Sequence, residues 1–159
     1  MPPTTEPDES VASPAAAESG EDRPGVRRIL LVDDHPLVAD GLRILVEALE
    51  PATTLLWTGT LEEGLDTLAS ERDIMLVLLD LRLPKIDGLE VLREIKNCEG
   101  LKRIPVVVLT TSQAEIDASR AYDCHANSYL IKPLDFELFT KLMEELGFYW
   151  LGWNYNPWS

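Results

Sequence analysis

The chain has 159 residues, 45% of them hydrophobic and 26% charged, enough for one domain with a real core and too few for two ordinary ones. Its formal charge of −14 argues against a nucleic-acid face, which needs a basic stripe to neutralise phosphates. No run of 18 apolar residues exists, so no membrane span is expected, and MPPTTEPDES has neither the basic nor the apolar region of a secretory signal.

Residues 1–25 are Pro, Ala, Ser, Glu and Asp with almost no large apolar side chain. Six acids (Glu6, Asp8, Glu9, Glu18, Glu21, Asp22) against Arg23 give this stretch −5, and its composition predicts a disordered acidic tail. A folded domain is expected over 26–148, with an aromatic extension over 149–159. Short β-rich apolar runs then recur: ILLV (29–32), TLLW (54–57), MLVLL (75–79), VVVL (106–109) and SYLI (128–131). Helical spacing fills the intervals. Val38, Leu42, Leu45, Val46 and Leu49 share a face behind Pro36, which suits a first turn. Thr60 and Glu63 form a capping-box pattern, Asp87 and Glu90 a similar one, and Ser112 and Glu115 open a weaker fourth helix. Asp135 can cap a fifth, carrying Phe136, Phe139, Leu142, Met143 and Leu146.

The pattern is (βα)5, an α/β fold with a doubly wound, five-stranded parallel sheet and helices on both faces. Continuous apolar strands are what such double cover produces. Ligands then bind beyond the carboxyl ends of the strands. That explains why MLVLL runs straight into a carboxylate: Asp80 belongs at the rim of the core. The other strand ends supply Asp33 and Asp34, Thr110 and Lys132. Three carboxylates at one rim repel unless a cation joins them, and hard oxygen donors suit Mg²⁺. A lysine and a hydroxyl there suit phosphoryl oxygens. The set fits phosphoryl transfer onto a carboxylate.

The stretches ILLVDDHP, LLDLRLPKIDGLEVL, IPVVVLTTS and NSYLIKP resemble the receiver domain of two-component response regulators, a flavodoxin-like fold. The resemblance spans roughly 27–148. It implies Asp80 as phosphoacceptor, Asp33 and Asp34 as the metal-binding acidic pair, and the Arg82 backbone carbonyl as a further metal ligand. It also implies Thr110 and Lys132 as phosphoryl partners, and Thr110 with Tyr129 as switch residues. Spacings of 30 residues from Asp80 to Thr110 and 52 to Lys132 are ordinary for that family. VVVLTTS, YDCHANSYLIKP and GFYWL resemble stand-alone regulators that partner phytochrome-type histidine kinases. VDDHPLVADGLRILVE looks more like regulators that carry a DNA-binding output domain, as a recombined or engineered chain would. The nine residues after Trp150 are too few for a helix-turn-helix, so no DNA-binding output is expected.

The resemblance implies a sensor histidine kinase as partner, possession of Mg²⁺, and signalling by protein contact without enzymatic turnover. Cys98 and Cys124 lack metal or disulfide spacing, which with the missing signal makes the cytoplasm the expected address. Six of the last twelve residues are aromatic, so this segment either packs back through Trp150 or acts as the arm of a homodimer. Tyr129 is either a switch aromatic or a ring packed on the fourth helix. His35 is a possible metal ligand weighed against a surface residue at a helix start, and Lys132-Pro133 is a candidate cis bond. Two rival readings remain open: a receiver-like adaptor that takes no phosphate, and an aspartate-nucleophile phosphatase of the haloacid-dehalogenase kind. The latter expects a second acid where Arg82 stands.

Overall fold

The computed structural model describes residues 27–155, so the acidic tail expected over 1–25 lies outside the described residues. Five strands alternate with five helices. They are β1 (Arg27–Val32), α1 (Pro36–Leu49), β2 (Thr53–Thr58), α2 (Leu61–Ser70), β3 (Ile74–Leu79), α3 (Gly88–Asn97), β4 (Val106–Thr110), α4 (Glu115–Asp123), β5 (Ser128–Ile131) and α5 (Phe136–Gly147). All strand pairs are parallel, in the order β2-β1-β3-β4-β5. The order reverses between β1 and β3, and that crevice is where an open α/β sheet binds ligands.

The period-2 alternation of each strand feeds two cores. Leu30, Val32, Val77, Leu79, Val106 and Val108 face α2, α3 and α4, meeting Leu61, Leu92, Ile95 and Ala121. Ile29, Leu31, Leu76, Leu78, Val107 and Leu109 face the other way, onto Ala39, Leu42 and Val46 of α1 and Met143 and Leu146 of α5. Every residue of β3 is buried, which accounts for the unbroken apolar run before Asp80.

Helix starts follow the sequence with one correction. Thr60 accepts from the Glu63 amide at 3.2 Å, Asp87 from Leu89 at 2.9 Å, and Asp135 from Leu138 at 3.0 Å. The fourth helix does not use Ser112 as its cap: it begins at Glu115 behind Ala114, which has no capping side chain. The Ser112 hydroxyl is engaged elsewhere, as described below. No cis peptide bond occurs among the described residues, so Lys132-Pro133 is trans, the intrinsically favoured isomer. After α5 the chain makes a π-helical turn over Phe148–Trp153. Trp150 is buried in the α1/α5 core, so the segment does pack back through this ring, while Trp153 and Tyr155 stay exposed. Gly147 permits the close approach: a Cβ there would lie 2.6 Å from Leu49 Cδ1 of α1.

Candidate functional site

The ends of β1, β3 and β5 place three ionisable side chains together under almost complete burial. Asp33 follows β1 and is fully buried, Asp80 follows β3 at 4% exposure, and Lys132 follows β5 at 7%. Backbone hydrogen bonds fix these positions: the Asp33 amide donates to Thr58 O at 3.1 Å, Asp80 to Val32 O at 3.0 Å, and Lys132 to Thr110 O at 2.7 Å. The Lys132 ammonium donates to Asp80 Oδ2 at 3.0 Å and also to Asp33 Oδ2. Two carboxylates around one ammonium leave the triad at −1, and an isolated buried charge is costly. The excess favours a further cation.

Asp34 and His35 form the open side of the cluster. Ligand atoms of Asp33, Asp34, His35 and Asp80 all lie within 4.8 Å of one another. Carboxylate oxygens at that spacing fit a divalent cation, which Asp33, Asp34 and Asp80 would hold. His35, read from sequence mainly as a helix-start residue, contacts both acids: Nδ1 is 2.8 Å from Asp33 Oδ1 and 3.0 Å from Asp34 Oδ1. Trp57, at the end of β2, donates its indole N–H to the Asp33 carbonyl at 2.7 Å. In sequence this tryptophan is only the last residue of the TLLW run, and its parallel pairing with Leu31 is what sets it beside the acid pair.

A second network links the Asp80 loop to α4. The Arg82 amide donates to Asp80 Oδ1 at 2.9 Å, which turns the loop tightly behind the carboxylate. The Arg82 guanidinium donates to Ser112 Oγ at 3.0 Å and to Asp117 Oδ2 at 2.8 Å. Ser112 in turn donates to Asp117. That hydrogen bond, then Arg82 and Arg120, hold the Asp117 carboxyl below its ordinary range against the opposing effect of desolvation. Thr110 is fully buried at the end of β4, and its hydroxyl lies 3.4 Å from the Ser112 amide. Tyr129 packs against the core that contains Ala121 of α4, and its hydroxyl donates to Ser112 O at 3.0 Å. Ser112 and Asp117 are thus additions to the residues expected from sequence, and Arg82 contributes its side chain as well as its backbone.

Comparison with known proteins places this architecture. The model of the response regulator receiver domain matches residues 29–144. The chain belongs to the response regulator receiver family. Among curated relatives of this receiver, the probable methanogenesis regulatory protein FilR2 of Methanothrix harundinacea is 62% identical over 82 residues, 52% of this chain and 53% of FilR2. The response regulator Rcp1 of Synechocystis is 51% identical over 76 residues, 48% of this chain and 52% of Rcp1. The receiver chain therefore spans about half the length of these curated relatives. Among solved structures, the phosphorylated cyanobacterial phytochrome response regulator RcpA superposes with a TM-score of 0.78 at 33% identity, covering 82% of this chain and 98% of RcpA. The Mn²⁺-bound form of Rcp1 gives 0.71 at 35% identity, covering 82% and 99%.

Proposed function

We propose that this receiver is a phosphoacceptor, taking a phosphoryl group from the phosphohistidine of a sensor kinase onto Asp80. The observation that carries the reading is the buried Asp33–Lys132–Asp80 triad at the sheet's switch point. An Asp80 carboxylate oxygen attacks phosphorus in line, the P–N bond of the phosphohistidine breaks, and the imidazole leaves with the bonding pair. The product is an acyl phosphate on Asp80. Lys132, already donating to Asp80, is in place to follow the phosphoryl oxygens, and the Thr110 hydroxyl caps the adjacent strand. Mg²⁺ held by Asp33, Asp34, Asp80 and the Arg82 carbonyl would neutralise charge on the carboxylate and phosphoryl oxygens.

Signalling follows from the second network. A new group of roughly −1.5 to −2 charges beside Arg82 and Thr110, taking phosphoserine as the guide, biases the loop that Ser112, Asp117 and Tyr129 hold onto α4. The output is a changed α4–β5–α5 surface read by another protein in the cytoplasm, with the receiver acting without steady turnover and as a homodimer. The kinase is proposed to be of phytochrome type, supported by the similarity to the phytochrome response regulator RcpA. Incubating the chain with labelled acetyl phosphate, and with a purified phytochrome-type kinase, in the presence and absence of Mg²⁺ tests this. Label is expected on the native chain only with Mg²⁺. Undiminished label on Asp80→Asn refutes the acceptor, metal-independent partner binding without label favours an adaptor, and steady phosphoester hydrolysis favours a phosphatase.

A further inference from the structure

His35 differs from its three neighbours in the acidic cluster, because it brings a nitrogen to a site otherwise built from carboxylate oxygen. Its ring is directed at the acids. The His35 amide donates to Asp33 Oδ1 at 2.9 Å, and the ring Nδ1 meets the same oxygen at 2.8 Å and Asp34 Oδ1 at 3.0 Å. Pro36 begins α1 immediately after it, fixing the backbone at this turn. Nδ1 is therefore the ring nitrogen that faces the carboxylates, and it is the one placed to meet a cation held among them.

The geometry accommodates an ion shared by these four side chains. Two ligands of a tetrahedral zinc, each about 2.1 Å from the ion, are about 3.4 Å apart. The four ligand atoms already lie within 4.8 Å of one another, so modest side-chain rotations close the shell. The His35 and Asp34 side chains are 60% and 40% exposed, so both can turn toward an entering ion, while buried Asp33 and Asp80 form a fixed floor. Oxygen donors alone suit Mg²⁺, whereas imidazole adds affinity for later first-row ions in the order Mn²⁺, Fe²⁺, Co²⁺, Ni²⁺, Cu²⁺.

We propose that His35 ligates the divalent cation at the acceptor site and shifts its preference from Mg²⁺ toward Co²⁺, Ni²⁺ and Zn²⁺. The inference rests on the reading of Asp33, Asp34 and Asp80 as a metal site. In the whole chain, electron spin-echo spectra of bound Mn²⁺ are expected to show nitrogen coupling that survives His125→Ala, the other histidine, and disappears in His35→Ser. Serine keeps a favourable residue at the helix N-cap while removing the ring. By calorimetry, His35→Ser should weaken Co²⁺ and Ni²⁺ binding by roughly tenfold or more and Mg²⁺ by less than about threefold. Absence of nitrogen coupling in the native chain overturns the proposal without reference to any variant, as does equal Co²⁺ affinity with and without the ring. If neither Mg²⁺ nor Mn²⁺ binds the native chain, the metal-site reading itself fails. Mg²⁺-dependent labelling of Asp80 with no nitrogen coupling leaves that reading standing and sinks only the role of His35.

Discussion

Replacing Lys132 by Met tests the electrostatics of the triad directly. Asp33 and Asp80 have essentially no access to water, and Lys132 donates to both. With lysine the buried group carries −1; with methionine, which keeps much of the volume, it carries −2. Breaking a buried pair by removing one partner costs about 3–5 kcal/mol, since the remaining charge is left uncompensated. Asp80→Asn changes the same group from −1 to 0 and leaves the Lys132–Asp33 pair balanced, so it should cost little or add stability. Total stability of about 5–15 kcal/mol for a domain makes the contrast easy to resolve. Urea unfolding in chelator, followed by far-ultraviolet circular dichroism, should therefore show a large fall in midpoint for Lys132→Met and little change for Asp80→Asn. A divalent cation replaces the missing positive charge, so its addition should recover more stability in Lys132→Met than in the native chain. At a free concentration of 100 times the dissociation constant, the recovery is about 2.7 kcal/mol. A Lys132→Met midpoint matching the native one in chelator, or equal metal stabilisation of the two chains, refutes the argument.

The Arg82–Asp117 pair is more modest, because the Arg82 side chain is 59% exposed. A double-mutant cycle with Arg82→Ala and Asp117→Asn should give a coupling of about 0.2–1 kcal/mol, with faster amide exchange at the start of α4 in both single variants. Because the folded-state Asp117 value is depressed below the ordinary 3.8, its contribution is fully present above about pH 4 and is lost as the pH falls through the folded value. Amide exchange in α4 should accordingly be indifferent to Asp117 titration at neutral pH and diverge from that of α1, which packs on the opposite face of the sheet, only in acid. Two glycines predict opposite signs in the same unfolding assay. A Cβ on Gly88 would fall 2.6 Å from Leu81 Cα, so Gly88→Ala should cost about 1–3 kcal/mol, whereas Gly41 lies inside α1 with nothing within 4 Å and Gly41→Ala should stabilise by about 0.5–1 kcal/mol. Trp57 donates to the Asp33 carbonyl, so its fluorescence is expected to change when a divalent cation binds, and Trp57→Phe should abolish that change; a full response persisting in the variant would assign it to another ring.

The division between what the sequence disclosed and what it withheld follows the range of the forces involved. Strand positions were legible because double-sided burial demands unbroken apolar runs, and β3 shows this over its full length. Asp33, Asp80, Thr110 and Lys132 were legible for the same reason: each stands at or just after a strand's carboxyl end, and parallel pairing brings those ends to one rim. Ser112 illustrates the opposite case. Its spacing from Glu115 fits a capping box, a purely local pattern worth about 1 kcal/mol. Arg82, 30 residues earlier, and Asp117 compete for the same hydroxyl with charge-assisted hydrogen bonds, which are roughly twice as strong as neutral ones. The tertiary partners win, and the helix starts later. His35 and Trp57 were understated for a related reason: each acts through a side-chain nitrogen whose direction depends on a turn or on a neighbouring strand, neither of which leaves a periodic trace. Residues placed by the backbone of the sheet could be read from the alternation of apolar and polar runs, whereas residues that reach the site through long or planar side chains required the fold.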